Sequence, residues 1–153
     1  MTRKDTSSGI GQLDGAQRFS SAKFDLNQAV RGLADSTRDE FCALNINLIL
    51  DSAPDLPKLP VDGDQVRHVL CALLGDARQS MLESGNSDRS IIVRTELNAE
   101  RTRLSLTYDG LADPAQLSIC AEIVQDQAGE LYLWRPRDSS CSTIIIDLPA
   151  EPL

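Results

Sequence analysis

Residues 65–81 have the sequence QVRHVLCALLGDARQSM, and this stretch decides the fold. Its apolar positions recur every three or four residues, which is the period of an α-helix with one buried face. These positions are Val66, Val69, Leu70, Leu73, Leu74, Ala77 and Met81. Asp62 or Asp64 is suited to begin the helix, because a short carboxylate accepts hydrogen bonds from the unpaired N–H groups of a first turn. We therefore expect this helix to be the spine of the core.

A second helix is predicted on the N-terminal side of this stretch, from the N-cap Asp25 to about Leu44. A short apolar strand, 47–50, follows it, and three prolines between residues 52 and 60 then require an extended connection. Residues 1–22 contain several glycines and serines without periodicity, so we expect a flexible lead-in or the remnant of an upstream helix. The domain itself is predicted to span residues 23–153.

The C-terminal side predicts strands at 90–97 and 103–108, a helix from Pro114 to about Gly129, and strands at 131–134 and 143–148. Helix, strand, helix, hairpin, helix and hairpin make an α/β fold. We expect a two-layer α/β sandwich in which a mixed sheet is covered on one face by three helices. The predicted core includes Leu70, Leu73, Leu74, Leu106, Ile123 and Ile145.

The composition excludes several classes of protein. A chain of 153 residues, 41% of them hydrophobic, suits one domain. Fifteen basic against 23 acidic residues give a net charge of −8, which disfavours a nucleic-acid partner because phosphate contacts need clustered cations. No run reaches the roughly 18 apolar residues that a membrane helix needs, so we expect a cytoplasmic protein without membrane insertion in this chain.

The residues of common catalytic and metal sites are scarce. His68 is the only histidine, and it lies among polar and apolar neighbours on the predicted central helix. Cys42, Cys71, Cys120 and Cys141 form no CxxC pair, so we expect structural thiols rather than a metal centre. A Ser-His-Asp triad or a histidine-rich metal site is therefore not expected.

Three stretches in order resemble one family. Residues 24–30 (FDLNQAV), residues 53–57 (APDLP) and the helix 65–81 are similar to the GHKL, or HATPase_c, ATP-binding domains of bacterial sensor histidine kinases. The helix resembles their N-box, whose usual form is close to QVLxNLLxNAxxAM, and residues 123–131 resemble their last helix-to-strand passage. The resemblance covers about residues 23–149. It implies the Bergerat type of α/β sandwich, a role in two-component signal transduction and Mg-ATP as the cofactor.

The N-box of this chain departs from the family pattern. The asparagine that holds Mg²⁺ in the family is matched by Asp76, and an earlier asparagine is matched by Ala72. A carboxylate is an acceptable Mg²⁺ ligand, so Asp76 is a metal candidate only if Mg-ATP binds. Arg78 is a cation that would partly offset the added negative charge, or it is an ordinary solvated residue of the helix surface.

The adenine-binding motif DxGxG is altered in the segment Tyr108-Asp109-Gly110-Leu111-Ala112. When Gly110 is aligned with the first glycine of the motif, Tyr108 stands at the position of the aspartate. Ala112 then stands at the position of the second glycine. A shift by one residue restores Asp109 but loses both glycines. The resemblance therefore implies a tyrosine ring in the space of adenine.

The lid and the glycine-rich GxGL turn of the family are missing as well. Residues 114–117 (PAQL) occupy the position of that turn directly after Asp113, and Pro114 has no N–H to donate to a phosphate. We interpret Asp76, Arg78, Tyr108, Asp109 and Gly110 as a vestigial nucleotide site without a catalytic residue and expect no cofactor.

The resemblance then implies a pseudokinase module that docks onto a histidine kinase dimerisation domain or a response regulator. The expected docking face is the C-terminal part of the 64–81 helix and the 109–117 connection, with apolar Leu111, Met81 and Leu82. Leu111 packing inward as a plug is the alternative for that side chain. The alternative function is an active domain that binds Mg-ATP and phosphorylates a histidine on another domain. A phosphotransfer-type protein and an unrelated α/β fold also remain open.

Overall fold

The structure is a computed structural model that describes residues 23–85, 87 and 89–150. The predicted lead-in, 1–22, lies outside these residues. Within the described part of the chain, the predicted order of helix, strand, helix, hairpin, helix and hairpin is confirmed. The elements are α1 (Leu26–Ala43), β1 (Ile46–Ser52), α2 (Gly63–Glu83), β2 (Arg89–Asn98), β3 (Arg101–Asp109), α3 (Pro114–Asp126), β4 (Glu130–Trp134) and β5 (Cys141–Pro149).

An aspartate caps the N-terminus of each of these helices. The Asp25 carboxylate accepts a hydrogen bond from the backbone N–H of Gln28 at 3.0 Å, and Asp62 accepts one from the N–H of Asp64 at 3.1 Å. Asp113 caps α3 in the same way. Each carboxylate satisfies a donor that has no partner inside the helix, which is why the helices begin at these residues.

The sheet has the strand order β1-β2-β3-β5-β4. β1 and β2 are parallel, and the remaining neighbours are antiparallel. The mixed sheet carries the helices on one face, as predicted. Its other face, called here the open face, presents every second residue of each strand, including Arg103, Asp109, Tyr132 and Trp134.

The core lies between the helices and the covered face of the sheet. The six α2 residues that carry it are each at most 4% exposed: Val69, Leu70, Leu73, Leu74, Ala77 and Met81. The sheet contributes Leu104, Leu106, Ile144 and Ile146, all of them buried. Because apolar surface leaves water along the whole length of α2, this helix is the spine of the core, as the sequence predicts.

Some predicted core positions were wrong. Ile145 is only partly buried, because β5 turns Ile144 and Ile146 to the helices and its odd-numbered residues to the open face. Ile123 is partly buried and packs against the edge of the core. The prediction of structural thiols holds for buried Cys120, whereas Cys42 and Cys71 are exposed.

The proline-rich connection before α2 returns to the start of α1. Phe24 and Leu59 form an isolated antiparallel bridge, with N···O distances of 2.9 and 2.8 Å. Leu59 is fully buried, and the guanidinium of Arg67 lies 5.2 Å from the centre of the Phe24 ring. The bridge holds this extended segment against the N-terminal ends of α1 and α2.

Candidate functional site

The candidate site lies where the end of β3, the middle of α2 and the N-terminus of α3 meet. The Asp113 backbone N–H donates to the Asp76 carboxylate at 3.2 Å, which ties α3 to α2. Tyr108, the last helix-facing residue of β3, lies near enough to Asp76 for the carboxylate charge to raise the pKa of its phenol. The structure therefore brings together two of the sequence-predicted site residues, Asp76 and Tyr108, and Gly110 lies two residues after Tyr108.

Tyr108 fills the space between β3 and α2. It is 1% exposed, and its hydroxyl has no hydrogen-bond partner among the described residues. Burial is the main reason that the pKa of this phenol is raised, followed by the negative charge of Asp76, with Arg135 opposing. Tyr108 is therefore a neutral, fully packed ring.

Asp76 lies at the rim of this region and is only partly buried. Burial raises the pKa of its carboxyl group, the hydrogen bond from the Asp113 N–H lowers it, and the charges of Asp113 and Glu83 raise it again. The pKa of the nearby Cys120 thiol is also raised, chiefly by burial and secondly by Asp76. The site therefore brings the carboxylates of partly buried Asp76 and exposed Asp113 close together.

Asp109 faces away from this region. Strand residues alternate between faces, so Tyr108 points to the helices and Asp109 to the open face. There the Asp109 carboxylate accepts a hydrogen bond from the hydroxyl of Ser140. Since Asp109 and Asp76 lie on opposite sides of the sheet, the register that aligns Gly110 describes the local geometry better.

Arg78 is also separated from Asp76. Residues two apart on a helix point about 200° away from each other. The Arg78 guanidinium forms an ion pair with Glu40 of α1, and its Nε is buried without a hydrogen-bond partner among the described residues. Arg78 thus joins α2 to α1 instead of offsetting the charge at Asp76.

The connection from β3 to α3 is short and fixed by serine side chains. The hydroxyl of Ser80 donates to the Leu111 carbonyl at 2.5 Å, and that of Ser142 donates to the Gly110 carbonyl at 2.6 Å. The Gly110 N–H donates to the Ser140 carbonyl at 2.9 Å. Sequence reasoning missed these serines, because nothing in the local pattern distinguishes them from exposed serines.

Gly110 is required by the closeness of α2. Its φ is +154°, and a Cβ added there would lie 2.9 Å from the Cβ of Ser80. Leu111, the next residue, is 61% exposed and does not plug the core, so the inward-packing alternative is wrong. Met81, expected on the surface beside it, is fully buried, whereas Leu82 is partly buried.

The N-terminus of α3 is already occupied by carboxylates. Asp113 accepts from the Ala115 N–H at 3.0 Å, Asp76 accepts from the Asp113 N–H, and Pro114 has no N–H. A helix N-terminus attracts phosphate only when its N–H groups are free to donate. Two negative charges in their place repel an anion.

No protein-family model matches the sequence, and no curated protein matches it. Solved structures do. The catalytic domain of the histidine kinase ThkA superimposes with a TM-score of 0.73 at 18% identity, over 86% of this chain and 98% of that one. The Acinetobacter baumannii histidine kinase AdeS gives 0.69 at 15% identity, over 90% and 76% of the two chains. The mycobacterial sensor histidine kinase MprB gives 0.69 at 15%, over 86% and 100%.

These likenesses show that the chain has the fold of histidine kinase catalytic domains, the two-layer α/β sandwich that its sequence motifs predict. In the part of the chain that the structure describes, no helix has both the length and the hydropathy needed to cross a bilayer.

Proposed function

We propose that this chain, which has the fold of a histidine kinase catalytic domain, serves two-component signal transduction as a docking module and does not phosphorylate a substrate. The observation that carries the proposal is the position of Tyr108. Its ring occupies the space between β3 and α2, where the family resemblance locates adenine, and it is 1% exposed. A nucleotide base has no room there unless the ring moves.

The charges beside Tyr108 also support the proposal. The carboxylates of Asp76, on α2, and Asp113 both lie at the N-terminus of α3, and their charges raise the free energy of bringing a triphosphate to that helix. Arg78, the nearest candidate cation on α2, is committed to Glu40. We therefore propose that Mg-ATP does not bind at this site.

The active alternative retains one favourable observation. The carboxylate of Asp76 stands at the position of the Mg²⁺-binding asparagine, and Mg²⁺ accepts carboxylate oxygen as a ligand. In that alternative, Mg-ATP binds beside Asp76 and a histidine on another domain is phosphorylated. Nucleotide binding separates the two functions, since only the active domain requires it.

The proposed docking face surrounds the shortened β3–α3 connection. Leu111 is 61% exposed there, two residues before exposed Asp113, and its carbonyl accepts a hydrogen bond from Ser80 of α2. Apolar surface with a polar rim is typical of protein interfaces, and we propose that Leu111 is the apolar centre of such a face. One of the similar structures is of ThkA in complex with the response regulator TrrA. We therefore propose a response regulator, or the dimerisation domain of a kinase, as the partner.

Binding measurements against purified domains test this proposal. The full chain is titrated with the purified response regulators and kinase dimerisation domains of the source organism. We expect one of them to bind, and Leu111→Asp to weaken that binding at least about tenfold, because a charge would be buried at the interface.

Leu97→Asp is the matched control, since Leu97 is 54% exposed on β2, away from the connection. Its affinity should equal that of the wild type. The docking face is wrong if folded Leu111→Asp binds like the wild type, and the proposed partner class is wrong if none of the purified domains binds.

A further inference from the structure

A groove separates α1 from α2 on the outer surface of the helical layer. Its volume is about 370 Å³, and the side chain of Arg67 forms part of its wall. Gly32 keeps the groove open, because no neighbouring heavy atom lies within 4 Å of a Cβ built at this residue. The apolar lining of the groove consists of Ala29, Gly32, Leu33, Leu70 and Cys71.

An apolar side chain is a better occupant of this groove than water. The volume of the groove corresponds to about twelve molecules of liquid water. Water that lies over Leu33 and Leu70 finds few hydrogen-bond partners, so its displacement by an apolar side chain is favourable. No side chain of the described residues fills the groove.

The chain enters the domain at one end of the groove. Arg67, which lines the groove, has its guanidinium 5.2 Å from the centre of the Phe24 ring. Gln28, which also lines it, donates its backbone N–H to the Asp25 carboxylate. The residues that precede Phe24 therefore lie close to the groove where they join the domain.

The lead-in, residues 1–22, carries a large apolar side chain within reach of the groove. Phe19 lies five residues before Phe24, and an extended chain spans at most about 17 Å over that separation. The groove extends along α1 from residue 28 to residue 36, which is about 12 Å of helix. Ser20 and Ser21 lie between the two phenylalanines, and serine is favoured in turns. Phe19 can therefore reach any part of the groove.

We propose that the lead-in folds back onto the domain and places the ring of Phe19 in the groove, on Leu33 and Leu70, where it covers Cys71. The lead-in belongs to the same chain, so its effective concentration at the groove is on the order of millimolar. A contact of one aromatic ring then suffices to keep it docked for most of the time. The proposal does not rest on the proposed function.

Charge favours the lead-in over a second copy of the chain as the occupant. The lead-in has three basic residues, Arg3, Lys4 and Arg18, and two acidic ones, so its net charge is +1. Residues 23–153 have 12 basic and 21 acidic residues, and their net charge is −9. The lead-in is therefore attracted to the domain, whereas two whole chains with a net charge of −8 each repel one another.

Alkylation of the cysteines in the folded full chain tests the proposal from the side of the lead-in. Iodoacetamide is the reagent, and mass spectrometry follows each cysteine separately. Phe19→Ser should raise the alkylation rate of Cys71 about five- to tenfold, as expected when a docked state that dominates the population is lost. The rate of Cys42 should not change, because Cys42 is exposed on α1 and does not line the groove. Gln17→Ser, two residues away, is the control variant and should behave like the wild type.

Trypsin digestion of the folded full chain tests the proposal from the side of the groove. Gly32→Leu places a side chain in the open space of the groove and should release Phe19, so cleavage after Arg18 should become about five- to tenfold faster. Gly75→Leu is the control, because Gly75 also has open space around it but does not line the groove. Cleavage after Lys4 should stay the same in both variants.

Three results would overturn the proposal, provided that circular dichroism shows each variant to be folded. The first is a Cys71 that reacts equally fast in the wild type and in Phe19→Ser. The second is cleavage after Arg18 that Gly32→Leu leaves unchanged or that Gly75→Leu accelerates to the same extent. The third is a protection of Cys71 that disappears when the wild type is diluted, because it would identify a second copy as the occupant.

Discussion

Replacing Tyr108 by phenylalanine should stabilise the protein. The Tyr108 hydroxyl is buried without a hydrogen-bond partner among the described residues, whereas its ring is packed on all sides. Phe retains the ring and removes only the polar atom. A buried polar group without a partner costs about 1 to 3 kcal/mol of desolvation. Part of this cost is offset in the wild type by local relaxation, so we expect Tyr108→Phe to raise the free energy of unfolding by about 1 kcal/mol.

Urea unfolding measures this gain, with far-UV circular dichroism and the fluorescence of Trp134 as independent probes. For a slope of about 2 kcal/mol per molar urea, the midpoint should rise by about 0.5 M. The slope itself should not change, because the variant exposes nearly the same surface on unfolding. Coincidence of the two probes justifies the two-state treatment.

Tyr132, the second tyrosine of the chain, is the matched control, because the same substitution there should lower the free energy of unfolding. The Tyr132 hydroxyl bonds to Asp147 and Arg103 on the partly exposed open face. Tyr132→Phe loses both bonds and should lower the free energy of unfolding by about 1 kcal/mol. A fall in stability for Tyr108→Phe of more than about 0.5 kcal/mol would refute the reasoning, because it would mean that the Tyr108 hydroxyl is hydrogen-bonded.

Three further substitutions test the fold. Leu73→Ala should cost about 2 to 5 kcal/mol in urea unfolding, because Leu73 is fully buried in α2, and a cost below about 1 kcal/mol would contradict that placement. Arg103 holds the pKa of Asp147 below its ordinary 3.8, so this carboxylate stabilises the fold above that pH and loses its effect as the pH falls through the lower folded value. Asp147→Asn should therefore cost about 2 kcal/mol at pH 7 and progressively less in acid, and a cost independent of pH would argue against the ion pair. Gly110→Ala should lower the free energy of unfolding by about 1 to 3 kcal/mol, because the added Cβ would lie 2.9 Å from the Cβ of Ser80 in α2. Gly75→Ala is the control and should not destabilise the protein, because the space around Gly75 is open. Equal effects of the two substitutions would contradict the close approach of Gly110 to α2.

The fold was predictable because its determinants are local. The 3.6-residue period of α2 marks the buried face directly, and the helix starts are marked by the N-caps Asp25 and Asp62 and by Pro114 in the first turn of α3. The strands were located within one or two residues. Ile145 was assigned to the wrong face, because three consecutive isoleucines, 144–146, satisfy either alternation and only the pairing with β3 decides between them.

The candidate site was less predictable, because it depends on contacts between distant segments. The ion pair of Arg78 joins it to Glu40, 38 residues away in the chain. The serine bonds that fix the β3–α3 connection join Ser80 to Leu111, a separation of 31 residues. No periodicity or short motif encodes such pairs. The sequence therefore located the segments that form the candidate site, but it placed Arg78 beside Asp76, where the structure does not.

The proposal that Tyr108, Asp76 and Asp113 exclude a nucleotide is tested most directly by calorimetric titration of the full chain with Mg-ATP to millimolar concentration. An intact histidine kinase catalytic domain serves as the positive control. We predict no saturable heat for this protein, and a melting temperature that Mg-ATP leaves unchanged. A dissociation constant in the low micromolar range would contradict the account, as would the rise in melting temperature of about 8 °C that corresponds to about 2.7 kcal/mol at a hundredfold ligand excess over that constant.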